Sequence, residues 1–177
     1  PSNSHGTGLK FANPTQLRSI PLADSPFSGT SLPPRVDLTA QMPAPGNQGR
    51  QNSCVGWAVA YAMKSFQENI EMRWGVHNAK HLFSPAFIYN QINNGVDGGS
   101  LISDARNLIS SQGAATLATA PYNQRDFRTR PSSAALNEAK RFRIAYWRRI
   151  NPQDTKEVKA QLHARYPVVI GASVDAA

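Results

Sequence analysis

Residues 46–70 read GNQGRQNSCVGWAVAYAMKSFQENI, and this stretch decides the fold because a glycine-bearing loop runs directly into an apolar helix. Proline, glycine and asparagine are frequent from Met42 to Gly49, which predicts a loop. Beyond it, the sequence predicts a helix that begins near Cys54 with Ser53 as its N-cap. Apolar residues recur there at helical spacing and predict one buried face: Val55, Ala58, Val59, Ala62, Met63 and Phe66.

The thiol of Cys54 has the local setting of a nucleophile. A cysteine reacts as its thiolate, and the first turn of a helix places that charge against the positive end of the helix dipole, which lowers the thiol pKa. Gln48 on the preceding loop can donate its side-chain amide to a developing oxyanion, with the Cys54 backbone N–H as a second donor. This arrangement suits acyl transfer. Because the chain has one cysteine, no internal disulfide can form, and the alternative is a buried structural thiol.

Further helices are predicted downstream. Ser84 and Pro85 are start signals for a second helix, and a third runs from Leu101 until Gly113 stops it, with Asp104 as a cap. A short helical turn over 134–141 and an amphipathic helix over 155–166 follow, while 121–133 is predicted as loop.

Two strands and an irregular leader complete the prediction. Residues 143–150, RIAYWRRI, alternate in the manner of a strand, and 167–174, PVVIGASV, form an apolar β-branched run that indicates a buried strand. The leader over 1–34 is rich in Ser, Pro, Gly and Asn, which predicts an extended or poorly ordered arm. Since the chain starts with Pro1 rather than Met, we expect that residues upstream have been removed.

Several motifs in order resemble the papain-like cysteine peptidases. That family places an oxyanion-binding Gln, followed by Gly, six positions before the Cys that opens its central helix, as Gln48, Gly49 and Cys54 are placed here. Residues 33–49, PPRVDLTAQMPAPGNQG, resemble the family's mature N-terminus. Three later segments fit the same order: FSPAFIYNQ at 83–91, PYN at 121–123 and PVVIGASVDA at 167–176. Asp97-Gly98-Gly99-Ser100 matches the family's Gly-Gly loop, so the resemblance covers about 33–177.

This resemblance implies an α+β, papain-like fold, with the helical left domain and the start of the β-barrel right domain. It implies a cysteine endopeptidase with Cys54 as nucleophile and Gln48 at the oxyanion, acting on a peptide or protein substrate that pairs with Gly98 and Gly99. Trp57 is a further candidate substrate-binding residue, although the plainer interpretation of Trp57, Tyr61 and Phe66 is core packing. No metal or organic cofactor is implied, and no membrane association.

The sequence departs from the plant and animal pattern of the family at two positions. Gln51 and Val96 stand where those enzymes carry a disulfide, which points to the bacterial branch that lacks the bridge. In that branch a short N-terminal segment can lie over the cleft. Residues 1–32 are therefore interpreted as a lid or as a propeptide remnant.

The family's general-base His and the Asn that orients it lie beyond the PVVIGASV strand, past Ala177. We therefore expect the chain to be a fragment, nicked or truncated, with a C-terminal fragment of the same protein as a partner. His5, His77, His81 and His163 are expected to be surface residues, and zinc binding by His77 and His81 is disfavoured because no further ligands lie nearby. A catalytically inactive papain-like module that binds peptides is the alternative.

The net charge of +8 raises the question of an anionic partner. The excess cations lie mainly in 125–165, where a nucleic-acid surface is conceivable. The stretch has no helix-turn-helix, zinc-finger or RNP pattern, so a solvated basic face is the expected interpretation and no nucleic acid is expected. No window approaches the roughly 18 consecutive apolar residues of a membrane span.

Overall fold

The computed structural model describes residues 6–24, 26 and 31–173. In chain order, the elements are strand β1 (Leu9–Lys10), helix α1 (Pro14–Arg18), a 3₁₀ turn (Thr39–Gln41), helix α2, helix α3 (Pro85–Ile92), strand β2 (Ser100–Leu101), and helices α4 (Ile102–Ser111), α5 (Ser133–Ala139) and α6 (Thr155–His163). Helix α2 is made of three consecutive parts: an α-turn (Cys54–Gly56), a π-helix (Trp57–Lys64) and an α-helix (Ser65–Met72). The predicted short helical turn and the predicted amphipathic helix are thus confirmed as α5 and α6.

Helix α2 is the centre of the core, as its apolar face predicts. Val55, Val59, Met63 and Phe66 are buried. The π-helical middle changes the register, because its hydrogen bonds skip one residue more than those of an α-helix. Ala60 is therefore buried, whereas the predicted face residues Ala58 and Ala62 are only half-buried.

Ser53 is not the N-cap that the sequence predicts. Its hydroxyl makes no capping bond to the first turn of α2 and instead lies 2.9 Å from the hydroxyl of Tyr122. Ser53 is fully buried beside Tyr122, and a buried hydroxyl requires a hydrogen bond. The hydrogen bond to Tyr122 therefore forms in place of the predicted capping bond to the helix.

Helices α3 and α4 pack on α2. Ser84 caps α3, since its Oγ accepts from the Phe87 N–H at 3.1 Å, and Pro85 is the first helical residue. A Cβ built on Gly56 would lie 2.8 Å from the Pro85 carbonyl oxygen, so glycine permits this close crossing. Buried residues of these three helices share one core with Ala135, Ala139 and Phe142 around α5.

Helix α4 confirms the third predicted helix, and Gly113 follows its end with φ at +93°. The prediction that Asp104 caps this helix is wrong. The helix begins one turn earlier, after Leu101, with no side-chain capping bond, and Asp104 is an exposed residue of its first turn. Its carboxylate there still faces the positive end of the helix dipole.

Neither predicted downstream strand is present in the described part of the chain. Residues 143–150 contribute one isolated bridge, between Leu22 and Arg149, and 167–173 are irregular, with Ile170 76% exposed. Val174, at the end of the predicted strand, lies outside the described residues. A strand is stable only beside others, and the described residues supply no neighbouring strands for these two segments.

The leader is more ordered than its composition predicts. Strand β1 pairs in parallel with β2, Leu9 opposite Ser100, and α1 begins with a reciprocal capping box between Asn13 and Gln16. Past α1, the Arg149 side chain and backbone bond to the carbonyls of Ile20 and Pro21 at 2.9 and 3.0 Å. In the described residues, no helix has the length and apolarity needed to cross a bilayer.

Candidate active site

Cys54 is the first residue of α2 and its side chain is half-buried. The 46–53 loop that precedes it contacts the 97–100 loop, and the space between these two loops is called the cleft below. Burial of the side chain raises the pKa of the Cys54 thiol above its ordinary value. Backbone N–H groups of Gly8, Val55 and Cys54 itself donate to the sulfur and offset part of that shift.

The expected lowering of the Cys54 pKa by the helix start is therefore not what the structure shows. The two effects have opposite signs, and desolvation is the larger one here. The leader contributes to both, because Gly8 is buried next to Cys54 and also donates a hydrogen bond to the sulfur.

Gln48 lies on the loop that enters α2, and its side-chain amide points into the same cleft. Its Nε2 donates to the Gly6 carbonyl at 2.6 Å and to the Gln51 carbonyl at 3.0 Å. Tyr122 also holds this loop, because its hydroxyl donates to the Gln48 carbonyl at 2.8 Å. Gly49 turns the chain with φ at +62°, a conformation that favours glycine.

The Gly-Gly loop faces this nucleophile loop directly. Gly98 is exposed and Gly99 is buried, with φ at +80°. Asp97 joins the two loops: its Oδ1 accepts from the Asn52 N–H at 2.9 Å, and its backbone carbonyl accepts from Asn52 Nδ2 at 2.8 Å. Tyr89 adds a third element, since its hydroxyl donates to Asp97 Oδ1 at 2.6 Å and accepts from the Gly99 N–H at 3.2 Å.

Sequence reasoning assigned no role to Asn52, Asp97 or Tyr89 in the site. Asp97 was noted only as part of the segment that matches the Gly-Gly loop. The Tyr among the buried residues of α3 was the available signal, because a buried phenol requires a hydrogen-bond partner.

Residues 6–10 of the leader occupy the cleft. The Gly6 N–H donates to the Gly49 carbonyl at 3.2 Å, the Thr7 N–H to Asn52 Oδ1 at 3.1 Å, and the Gly8 carbonyl accepts from the Ser100 N–H at 2.9 Å. A Cβ on Gly6 would lie 2.3 Å from the Gln51 carbonyl oxygen, and one on Gly8 would lie 1.9 Å from that of Asn52. The close approach of the leader to both loops therefore requires glycine at these two positions.

Trp57 packs against the start of the 46–53 loop, at Gly46. Its ring packs against Tyr61 and Tyr122, with centroids 4.8 and 4.9 Å apart, and a Cβ on Gly46 would lie 2.1 Å from it. The ring is half-buried, and its Nε1 is buried without a hydrogen-bond partner in the described structure. Trp57 thus supports the active-site loop, as the core interpretation expects, and it retains a partly accessible edge.

The described histidines supply no metal set. His81 stacks on Trp74 with ring centroids 4.5 Å apart, and His77 and His81 lie between α2 and α3. Across 6–24, 26 and 31–173, no group of three or more His, Cys, Asp and Glu residues is arranged to hold a metal ion. His5 lies outside the described residues.

A cavity of about 930 Å³ reaches from strand β1 to the 166–171 segment. Its lining is mainly apolar and includes Leu9, Ile102, Val169 and Ile170. Arg106 also lines it, and burial lowers the pKa of this guanidinium to about 10.

Most of the excess positive charge has no acidic partner among the described residues. Arg35 pairs with Asp37, and Lys64 pairs with Glu68. Three arginines of the basic stretch lie over neighbouring aromatic rings instead: Arg128 over Phe127, Arg141 over Phe142 and Arg148 over Tyr146.

Comparison with solved structures gives several matches, of which two are described here. The structure is similar to that of xylellain, a cysteine protease from Xylella fastidiosa, with a TM-score of 0.72 and 24% identity over 90% of this chain and 63% of that one. It is also similar to a structure from work on the mite allergens Blo t 1 and Der p 1, with a TM-score of 0.65 and 16% identity over 86% of this chain and 50% of that one. The chain thus spans 63% and 50% of the lengths of these proteins. No family model and no curated protein matches its sequence.

Proposed function

Because the chain has the papain-like α+β fold, we propose that it is the nucleophile-bearing part of a cysteine endopeptidase. The observation that carries the proposal is the convergence of Cys54 and the Gln48 amide on one cleft, where both already bind main-chain groups of the leader. Gln48 Nε2 holds a carbonyl oxygen and the Cys54 sulfur accepts an N–H. A cleft that binds its own backbone in this way is suited to bind a peptide.

In the proposed reaction the Cys54 thiolate attacks the substrate carbonyl carbon. The oxyanion is held by Gln48 Nε2 and by the Cys54 backbone N–H, and collapse of the intermediate releases the amine and leaves a thioester. Water then hydrolyses the thioester and restores the thiol. Gly98 and Gly99 would pair with the substrate backbone, and the half-buried ring of Trp57 is a further candidate for contact with the substrate.

Efficient turnover needs a group that protonates the leaving amine as a general acid and then, in its neutral form, activates the water as a general base. We propose that the His and the Asn that orients it come from a C-terminal fragment of the same protein. The apolar cavity beside β1 offers such a polypeptide a surface next to the leader. The raised pKa of Cys54 fits this division, because no imidazolium from the described residues stabilises the thiolate.

Residues 1–32 are proposed to act as a lid. In the described part of this segment, Gly6 binds the amide meant for the oxyanion and Gly8 binds the nucleophile. A seated leader therefore excludes substrate from both groups.

The alternative function, an inactive module that binds peptides, is favoured by the same raised pKa, since a neutral thiol is a poor nucleophile. A peptide-like epoxide that alkylates papain-type thiols separates the two functions. We expect one adduct per chain, mapped to Cys54 and absent from Cys54→Ser, when the C-terminal fragment is present and the leader is displaced from the cleft. An intact Cys54 that still reacts with a small maleimide would support the binding module.

A further inference from the structure

The loop that carries the nucleophile and the loop that carries Gly98 and Gly99 must be held at a fixed separation, because both have to contact one bound peptide. A displacement of about 1 Å in such a pair costs on the order of 100-fold in rate. The chain has one cysteine, so no disulfide can tie these loops together.

The tie between them consists of side-chain hydrogen bonds over a long sequence separation. Asp97 accepts the Asn52 N–H on Oδ1 at 2.9 Å, and the Asn52 side chain returns a bond to the Asp97 carbonyl at 2.8 Å. Asn52 lies two residues before Cys54 and Asp97 lies two residues before Gly99. Each partner is thus adjacent to the group that it would have to position.

Tyr89 anchors the pair of Asn52 and Asp97 to the buried core. Its side chain is fully buried in α3, and its hydroxyl reaches both Asp97 Oδ1 at 2.6 Å and the Gly99 N–H at 3.2 Å. Asp97 Oδ1 therefore accepts two donors at once, one from the nucleophile loop and one from the core.

The Asp97 carboxylate is not needed to fold its own loop. Asn93 already does so: its Oδ1 accepts from the Gly95 N–H at 2.8 Å and its carbonyl accepts from the Val96 N–H at 3.1 Å. The Gly98 N–H bonds to the Val96 carbonyl at 2.9 Å. The carboxylate is thus left for contacts outside the loop.

We propose that Asn52, Asp97 and Tyr89 form a clamp that positions Cys54 relative to Gly98 and Gly99. These are positioning residues for the reaction, and this role rests on the proposed function. Asn52 also meets the leader, because its Oδ1 accepts the Thr7 N–H at 3.1 Å. The clamp thereby presents polar groups to whatever main chain occupies the cleft.

The test is hydrogen exchange of the full chain, followed by mass spectrometry on peptides that cover 48–54 and 97–101. Asp97→Leu removes the shared acceptor at similar size, and Tyr89→Phe removes the hydroxyl but keeps the ring. Asp97→Asn keeps an oxygen at the Oδ1 position and should rescue. Asp154→Ala is the matched control, because that carboxylate also accepts two hydrogen bonds, from the Lys156 and Glu157 N–H groups at 2.9 and 3.2 Å, but at the start of α6.

We expect exchange about tenfold faster in both segments for Asp97→Leu and Tyr89→Phe, and near wild-type exchange for Asp97→Asn. Asp154→Ala should accelerate exchange in α6 only. Unchanged exchange over 48–54 in Asp97→Leu and Tyr89→Phe would overturn the proposal, as would an Asp97→Asn variant that behaves like Asp97→Leu. If Asp97→Leu does not fold, Tyr89→Phe decides. Exchange does not require Cys54 to react, so failure of the proposed function would be seen separately.

Discussion

Gln48 Nε2 donates a 2.6 Å hydrogen bond to the carbonyl oxygen of Gly6, so the amide proposed to bind a substrate oxyanion already binds a carbonyl of the same chain. Two residues later, the Gly8 N–H donates to the Cys54 sulfur. The proposed catalytic groups are thus both engaged by the leader, and its removal from the cleft is the first condition for activity.

Replacing Gly8 should unseat the leader. A Cβ at this position would lie 1.9 Å from the Asn52 carbonyl oxygen, and backbone cannot move away as a flexible side chain can. We expect Gly8→Val to increase the rate of Cys54 alkylation by iodoacetamide at least about tenfold, because exposure of a protected group follows the opening of the segment that covers it. Thr7→Ala is the matched control, since the Thr7 side chain is exposed in the same segment. Equal rates in wild type and Gly8→Val would mean that the leader does not protect the thiol.

The pH dependence of that alkylation follows from the raised pKa of Cys54. Burial disfavours the thiolate, so the rate should rise with pH through an inflection above that of an unstructured cysteine. In Gly8→Val the inflection should move back down, because burial is the larger cause and the leader supplies part of it. An inflection below the ordinary thiol range in the wild type would contradict the structure.

The same shift has a consequence for stability. A group whose pKa is higher in the folded state stabilises the fold below its unfolded pKa, and this contribution is lost as the pH rises through the folded value. Wild type should therefore lose stability relative to Cys54→Ser in the alkaline range. Urea unfolding of both proteins from neutral to alkaline pH measures the difference.

Lys64 and Glu68 form a buried ion pair, so we expect the loss of one partner to destabilise the fold more than the loss of both. Their side chains are 3% and 5% exposed, one helical turn apart in α2. Lys64→Met should lower the free energy of unfolding by about 3–5 kcal/mol, because it leaves a buried carboxylate unpaired. The double variant Lys64→Met, Glu68→Leu should recover most of this loss. A double variant as unstable as the single one would mean that the unpaired Glu68 carboxylate does not cause the loss of stability.

The helices of the core could be predicted because their signals are local. The Ser84-Pro85 start, the Gly113 stop and the spacing from Val55 to Phe66 act within one or two turns, and the structure confirms all three elements. The Ser53 cap failed where a tertiary partner, Tyr122, competed for the same hydroxyl.

What could not be predicted depends on distant partners. A strand over 143–150 or 167–173 requires neighbouring strands that the described residues do not supply. These segments are therefore mostly irregular, although their sequences have the pattern of strands. The proposed clamp of Asn52, Asp97 and Tyr89 joins residues up to 45 positions apart, and no local spacing marks it. Gln48 and Cys54 are only six positions apart, so a local pattern could mark them, whereas the direction of the Cys54 pKa shift is set by burial in the folded chain.

The interpretation of the excess cations in 125–165 as a solvated face stays a prediction. If these cations form only a solvated face, the chain should bind heparin weakly and lose it at moderate salt, with no preference among nucleic-acid sequences. Retention on one oligonucleotide sequence over a scrambled one at about 150 mM salt would instead indicate a specific site.

The most direct test of the central claim is acylation of Cys54 by a peptide p-nitrophenyl ester, quenched in acid and read by intact mass. Nitrophenolate leaves without a proton donor, so the first half of the reaction needs no general acid, and the acid quench preserves the thioester for detection. We predict one acyl group on Cys54, faster in Gly8→Val, and a rate reduced about 100-fold in Gly8→Val, Gln48→Ala. Acylation that is indifferent to Gln48, or no adduct even in Gly8→Val, would contradict the assignment of Cys54 and Gln48 as nucleophile and oxyanion donor.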